Sequence, residues 1–217
     1  FLWNFRTNSE SPDVNGVFVL GSYAGYAVAP GMYQAKLTLH PFNNSSAKQS
    51  NSTTLTVLPN PFIKASQENW DLQQSTLATI SSNIKEVHTS VNNLRKIKKQ
   101  LQYYADILAS LSEAKSIKEE ANSIIGKIDA WESNIVESRT QNGQDVINWP
   151  SKLNVDFFYL KGLIDISDPV LTNGVKVKLA DLQNAWAKEK LKLDAIYDAV
   201  KNFNNQFKNA NIPALQL

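Results

Sequence analysis

The sequence predicts an α+β chain in two parts: a partial antiparallel β-sandwich over residues 1–60, then an antiparallel bundle of long helices over residues 61–217. Three observations carry this. Apolar residues alternate with polar ones before residue 58, whereas beyond residue 66 they recur every three or four positions. Charge is divided unevenly. Residues 1–63 hold five charged side chains (Arg6, Glu10, Asp13, Lys36 and Lys48), and the remainder holds 19 basic and 18 acidic ones. Between the two regimes lies LPNPF at 58–62, where Pro59 and Pro61 stop a helix and disfavour a ladder.

Four strands are expected in the first part. FLWNFR, residues 1–6, is a short aromatic strand with Leu2, Asn4 and Arg6 on one face. GVFVLG, residues 16–21, is a short apolar run bounded by glycines. MYQAKLTLH, residues 32–40, alternates most clearly and follows the turn Ala29-Pro30-Gly31. STTLTVL, residues 52–58, is β-branched and alternating, and the Asn- and Ser-rich stretch before it reads as a hairpin loop. Four strands are few for a sandwich, which usually has about seven. Further strands are therefore expected upstream, and the sheet edge left beside residues 1–6 invites pairing with another copy.

Four helical segments are expected in the second part. The first runs from about Ser66 to Ala109, with Leu77, Ile80, Ile84, Val87, Val91 and Leu94 on one seam. Ile97, Leu101, Tyr104, Leu108 and Leu111 continue that seam after a shift of phase. SLSE at 110–113 reads as a capping box for the second helix, which runs to about Ser138 on Ile117, Ala121, Ile124, Ile128, Trp131 and Ile135. RTQNGQ breaks it. A third segment starts near Pro150, a good first helical residue, and carries Leu153, Phe157, Leu160 and Ile164. DPVLTNG at 168–174 interrupts again. The last helix uses Leu179, Leu182, Trp186, Leu193, Ile196, Val200, Phe203 and Phe207, and ends before Pro213. Long helices with short connections pack antiparallel.

Composition removes several function classes. The chain is 217 residues with a net charge of +2, too near balance for nucleic-acid binding by bulk electrostatics. It has no cysteine, which excludes disulfides and thiolate metal sites. No apolar run approaches the roughly 18 residues that span a bilayer. The first residue is Phe, and no signal peptide follows it, so the chain is expected to begin inside a larger protein.

Several of these stretches together resemble a known family. FLWNFR, VAPGMYQAKLTL at 28–39 and LTVLPNPF at 55–62, followed by GQDVINWPSKLN at 143–154 and FNNQFKNANIPAL at 203–215, are similar to the C-terminal region of bacterial sortilin-like β-propeller proteins. Those proteins carry Asp-box (bacterial neuraminidase) repeats and are often labelled glycosyl hydrolases. The GQD…N.P..LN stretch is the most specific element of the resemblance. It implies that the first part is Ig-like, that an upstream β-propeller of the same parent chain is the partner, and that the parent is secreted or lies in the periplasm or cell envelope. It implies no catalysis by this region, because the propeller repeats are absent from it.

The residues themselves hold little chemistry. Acid pairs such as Glu119-Glu120 and Asp165-Asp168 have no aromatic setting and read as solvated charges rather than a glycosidase pair. His40 and His88, the two histidines, have no second ligand at metal spacing, so no catalytic residue, metal or cofactor is assigned. RKIKK at 95–99 reads as the wet face of a helix, with contact to an anionic polymer as the other reading. Trp3 and Tyr33 read as core. Tyr23 and Tyr26, in the loop GSYAGYAVAPG, are the candidates for carbohydrate contact, since flat rings on loops can stack on sugars. In GQDVINWPSKLN, Gly143 permits a turn, Asp145 or Asn148 caps a helix amide, and Trp149 plugs the bundle end. The leading expectation is a non-catalytic structural or interaction module, with a carbohydrate-binding accessory module of a glycoside hydrolase as the alternative.

Overall fold

A computed structural model of the chain describes residues 2–39, 49–108 and 115–209. The order of elements is β1 (Gly31–Leu39), β2 (Gln49–Val57), α1 (Gln67–Leu108), α2 (Lys115–Ile135), a single 3₁₀ turn (Asp145–Ile147), α3 (Leu153–Ile164) and α4 (Asn173–Asn209). The expected α+β composition is present, and helices dominate it.

Helix α1 has 42 residues, which gives a rod about 63 Å long at 1.5 Å per residue. Its start is held by a reciprocal cap. The Asn69 amide donates to Ser66 Oγ, and the Ser66 amide donates to Asn69 Oδ1 at 3.1 Å. Its seam residues Leu77, Ile80, Ile84, Val87, Val91 and Leu94 are all buried. The capping box expected at 110–113 lies outside the described residues, as does His40.

The side-chain pairs fix how the rods run. Arg95 meets Glu132 and Lys98 meets Asp129, so α2 runs antiparallel to the second half of α1. His88 lies against Asn154 and Gln73 against the Ile164 carbonyl, so α3 runs antiparallel to the first half. Helices α2 and α3 therefore form one broken rod beside α1. Helix α4 returns along this rod, with Lys178 on Asp156 and the Trp131 indole donating to the Glu189 carbonyl at 3.0 Å. It runs parallel to α1, since Glu86 meets Lys190 and Tyr104 meets Phe207. The result is a three-rod bundle whose middle rod is interrupted at 136–152. Trp131 and Trp186 meet inside it, with ring centroids 6.3 Å apart.

The β part is smaller than expected. Among the described residues it is one two-stranded antiparallel hairpin, in register from Gly31↔Val57 to Leu39↔Gln49, and a sandwich is not formed. Residues 2–6 contribute a single bridge, Arg6↔Ala27, flanked by Thr7 N–H to Tyr26 O and Val28 N–H to Phe5 O, both 2.9 Å. The run at 16–21 forms no strand. Its valines find helices instead: Val17 and Val19, with Val14 just before the run, are buried in the same core as the bundle. An apolar alternation states that one side is covered and does not state by what. Trp3 and Tyr33, expected in the core, are half-buried and meet with tilted rings, centroids 5.5 Å apart, near the base of the hairpin.

Candidate functional site

The interruption of the middle rod builds a partly enclosed site. Ile135 ends α2, and the chain leaves the bundle axis for 17 residues before α3 begins. Val136, Glu137 and Thr140 stay buried at the point of departure. Glu137 is buried beside Arg139 and bonded to it three times. Its Oε1 accepts from the Arg139 amide at 3.0 Å and from Nε at 2.7 Å, and Oε2 accepts from Nη2 at 2.7 Å. Those bonds from Arg139, with the positive charges of Arg139 and Lys152, hold the carboxyl far below its usual range, at about 2, against the opposing effect of burial. The guanidinium in turn lies 3.8 Å from the centre of the Trp149 ring. Asp145 ties the loop together by accepting the amides of Gln141 and Asn142 at 2.8 and 3.2 Å, and its carbonyl accepts the Trp149 amide at 2.8 Å.

Three of the expectations for this segment change. Asp145 closes a loop turn rather than capping a helix, and the residue at the N-cap of α3 is Lys152, whose side chain makes no capping bond. Trp149 sits at the interruption, midway along the rod, because α2 and α3 are collinear. Pro150 precedes the helix by three residues instead of starting it.

Opposite this loop the N-terminal segment completes a cleft. Val17 and Val19 point into the core, so the alternation turns Phe18 and Leu20 outward. Phe18, Leu20, Val146, Trp149, Val155 and Tyr159 form the apolar lining, and Glu137, Thr140, Ser151 and Asp156 supply its polar atoms. The cavity measures about 280 Å³. Tyr159 is well exposed at its edge, and so is Leu20.

The loop carrying Tyr23 and Tyr26 is held to the bundle by three charged residues. Lys161 is 3% exposed and donates to the Ser22 carbonyl at 3.1 Å and the Ala24 carbonyl at 2.5 Å. Burial lowers its pKa, with the Asp165 carboxylate acting in the opposite sense. Asp165 accepts from Arg6 Nη1 at 2.7 Å and from the Ala27 amide at 2.9 Å. The expectation that Asp165 is a solvated surface charge is corrected here: its side chain is 9% exposed and joins both ends of the N-terminal segment to α3. Gly25 is required at the close approach, since a Cβ there would lie 1.8 Å from the Thr7 carbonyl oxygen.

Tyr23 and Tyr26 are both half-buried and packed against the core. The Tyr23 ring meets Phe158 edge-on at 5.0 Å and His88 at 5.8 Å. Its hydroxyl is enclosed without a hydrogen bond of ordinary geometry. Burial, reinforced by the Asp13 carboxylate, pushes it up to about 12. His88 is fully buried. Its Nδ1 donates to the Pro12 carbonyl at 2.8 Å, and Asn154 Nδ2 lies 3.4 Å from Nε2, so this ring also joins the N-terminal segment to α3. Burial lowers its pKa against the opposing pull of the Pro12 carbonyl and Asp13.

The basic cluster is partly neutralised. Arg95 pairs with Glu132 and also donates to the Asn15 carbonyl, and Lys98 pairs with Asp129, while Lys96 and Lys99 are exposed. Ile97 stays on the apolar side. Glu119 is exposed, with Lys115 4.0 Å away. Among the described residues no set of three His, Asp or Glu side chains is arranged to hold a metal, and no helix is long and apolar enough to cross a membrane.

Trp149 lies in the cleft together with Val146 and Ser151 of the same stretch, GQDVINWPSKLN. Lys161 carries a readable signal: it is the one charge within the apolar run FFYLKGLI. No protein-family model, curated protein or solved structure matches the chain.

Proposed function

We propose that this chain is a non-catalytic structural and interaction module: a rigid three-rod bundle that presents a β-hairpin to a neighbouring β-domain. The observation that carries this is the state of the hairpin. Neither nine-residue strand buries a side chain, and among the described residues the outer edges of β1 and β2 make no backbone hydrogen bonds. Met32, Leu37 and Leu39 are each more than 60% exposed. A lone two-stranded hairpin is marginal in water. Exposed edges are ordinarily guarded by charge, proline or bulges, and here β2 has none of these while β1 has only Lys36. Such a hairpin fits a sheet that other strands complete.

The resemblance names those strands as part of an Ig-like domain next to an upstream β-propeller, in a secreted or envelope protein. On this reading the helical region acts as a stay. Its Lys161, Asp165 and His88 hold residues 12–27, which lead directly into β1.

Hydrogen exchange tests the proposal on two samples, this chain alone and the intact parent. The amides of 31–39 and 49–57 should exchange at least about tenfold more slowly in the parent, whereas those of α1 should not differ. Equal, fast exchange of the hairpin in both samples ends the proposal.

A further inference from the structure

The cleft at the interruption of the middle rod plays no part in presenting the hairpin, yet it has the features of a small-ligand site. We propose that it binds a single uncharged aromatic ring between Trp149 and Tyr159. The inference concerns the bundle and holds whether or not the hairpin has a partner.

Size comes first. A volume of about 280 Å³ is at the small end for ligand pockets, which run from about 300 Å³ upward, and suits one substituted ring. The lining comes second. Phe18, Leu20, Val146, Trp149, Val155 and Tyr159 make the walls apolar, and three of these six are aromatic. Aromatic rings pair edge-on or offset at centroid separations of about 4.5–7 Å.

Charge decides between ligand classes. Both carboxylates at the cleft have cationic partners of their own. Glu137 accepts the amide, Nε and Nη2 of Arg139, and Asp156 accepts Lys178 at 3.0 Å. An ionic ligand would have to displace one of these partners, so a neutral one is favoured. A sugar needs many convergent hydrogen-bond partners, and beside the Thr140 and Ser151 hydroxyls the uncharged side chains of the lining offer just the Trp149 indole N–H and the Tyr159 hydroxyl. One polar substituent on a ring can use them, and a polyol cannot be satisfied by them.

Preorganisation is the last argument. Trp149 is held by the Arg139 guanidinium at 3.8 Å, and Arg139 is itself fixed by Glu137. The facing wall, Phe18 and Leu20, is anchored through buried Val17 and Val19. A site whose walls are already ordered loses little freedom when the ligand arrives.

The test is a titration of the full ¹⁵N-labelled chain followed by NMR. The probes are p-cresol, N-acetyl-L-tyrosinamide and, as the polyol, methyl β-D-glucopyranoside. We expect saturable shifts of the Trp149 indole N–H and of amides in 18–20 and 146–149, with a Kd for p-cresol at or below about 1 mM. Tyr159→Ser removes an exposed ring from a helix surface without touching the core and should weaken binding at least about tenfold. Trp149→Leu should do the same, and unchanged dispersion of the remaining resonances verifies that each variant is folded. Binding of both ring compounds would identify a peptide side chain as an acceptable source of the ring, and binding of p-cresol alone would restrict the site to a free small molecule. The proposal is overturned by a lack of saturation with either ring, by binding that survives both substitutions, or by tighter binding of the glucoside than of p-cresol.

Discussion

The bundle and the hairpin answer opposite demands within one chain. In the bundle Ile80, Ile84, Val87, Val91 and Leu94 have no exposed surface, and they share one core with Trp186 and Phe203 of α4. In the hairpin every strand residue is at least partly exposed, its three leucines and one valine included. Both regions have regular hydrogen-bonded backbones, so regularity alone does not separate them. What separates them is the second layer. A helix seam or a sheet face is stabilised by what covers it. Here the helices are covered within the chain, whereas among the described residues no element covers the hairpin.

The sharpest way to test this contrast is to remove one side chain from each region. Phe157 of α3 has no exposed surface. Phe157→Ala should cost about 3–5 kcal/mol in denaturant unfolding, through lost burial and the cavity left behind. Leu37→Ser, at a site 77% exposed, should change stability by no more than about 0.5 kcal/mol. A large loss at Leu37 in the isolated chain would show that the hairpin is covered in solution, and the contrast would disappear.

The next effect tests what joins the two regions. Lys161 supplies the hydrogen-bond donor for two carbonyls of the loop leading to β1. Lys161→Met keeps the length of the side chain but leaves both acceptors without that donor, at a cost of about 2 kcal/mol. The loss should appear locally as faster amide exchange across 22–28, while α1 stays protected. Uniform loss of protection throughout the bundle would place Lys161 in the general core rather than at a junction.

How much of this was legible beforehand depends on whether the cause was local. Helical periodicity records which face is covered, so the seams of α1, α2 and α4 are legible almost residue for residue; Tyr104 is the exception, exposed where Ala105 is buried, and Leu111 lies outside the described residues. The hairpin strands were likewise found within one to three residues of their ends. The junction was illegible for a physical reason. Arg6 and Asp165 are 159 residues apart and Lys161 and Ser22 are 139 apart, so no window of sequence contains both members of a pair. The cleft was lost in the same way. It draws Phe18, Glu137, Trp149 and Tyr159 from three separate segments, and of these four only Trp149 carried a motif. Its most telling element, the Glu137–Arg139 clamp, looks in sequence like two more charges after a helix.

A shallower effect concerns the second junction residue, His88. Its ring is enclosed by the Pro12 carbonyl, Asp13 and Tyr23 from the N-terminal segment and by Asn154 and Phe158 from α3. Burial lowers its pKa below the ordinary 6.5. The unfolded chain therefore takes up a proton near pH 6.5 and the folded chain only at lower pH. Stability is fully present above pH 6.5 and falls as pH drops through the folded value. His88→Asn should flatten the stability profile between pH 7 and 5, whatever its pH-independent cost. If the wild-type slope in this window survives the substitution, the proton is bound elsewhere and His88 does not couple pH to the junction.

The smallest effect bears on the backbone that leads into the hairpin. Phe5 has φ 59°, a left-handed conformation that costs a residue bearing Cβ about 1–2 kcal/mol. At an ordinary site Ala is more stable than Gly by about 0.4–1 kcal/mol, because Gly gains more freedom on unfolding. Phe5→Gly and Phe5→Ala both lose the ring contact with Trp3, so comparing the two isolates the backbone. The order should reverse here, with Gly more stable than Ala by about 0.5–1 kcal/mol. That result would place a strained kink beside the bridge Arg6↔Ala27, at the last backbone pairing before the uncovered sheet begins. The ordinary order would mean that Phe5 is extended in solution. The ladder beside 26–28 would then be straight, able to carry pairing onward along β1, and the hairpin would lie closer to a covered state than its exposure implies.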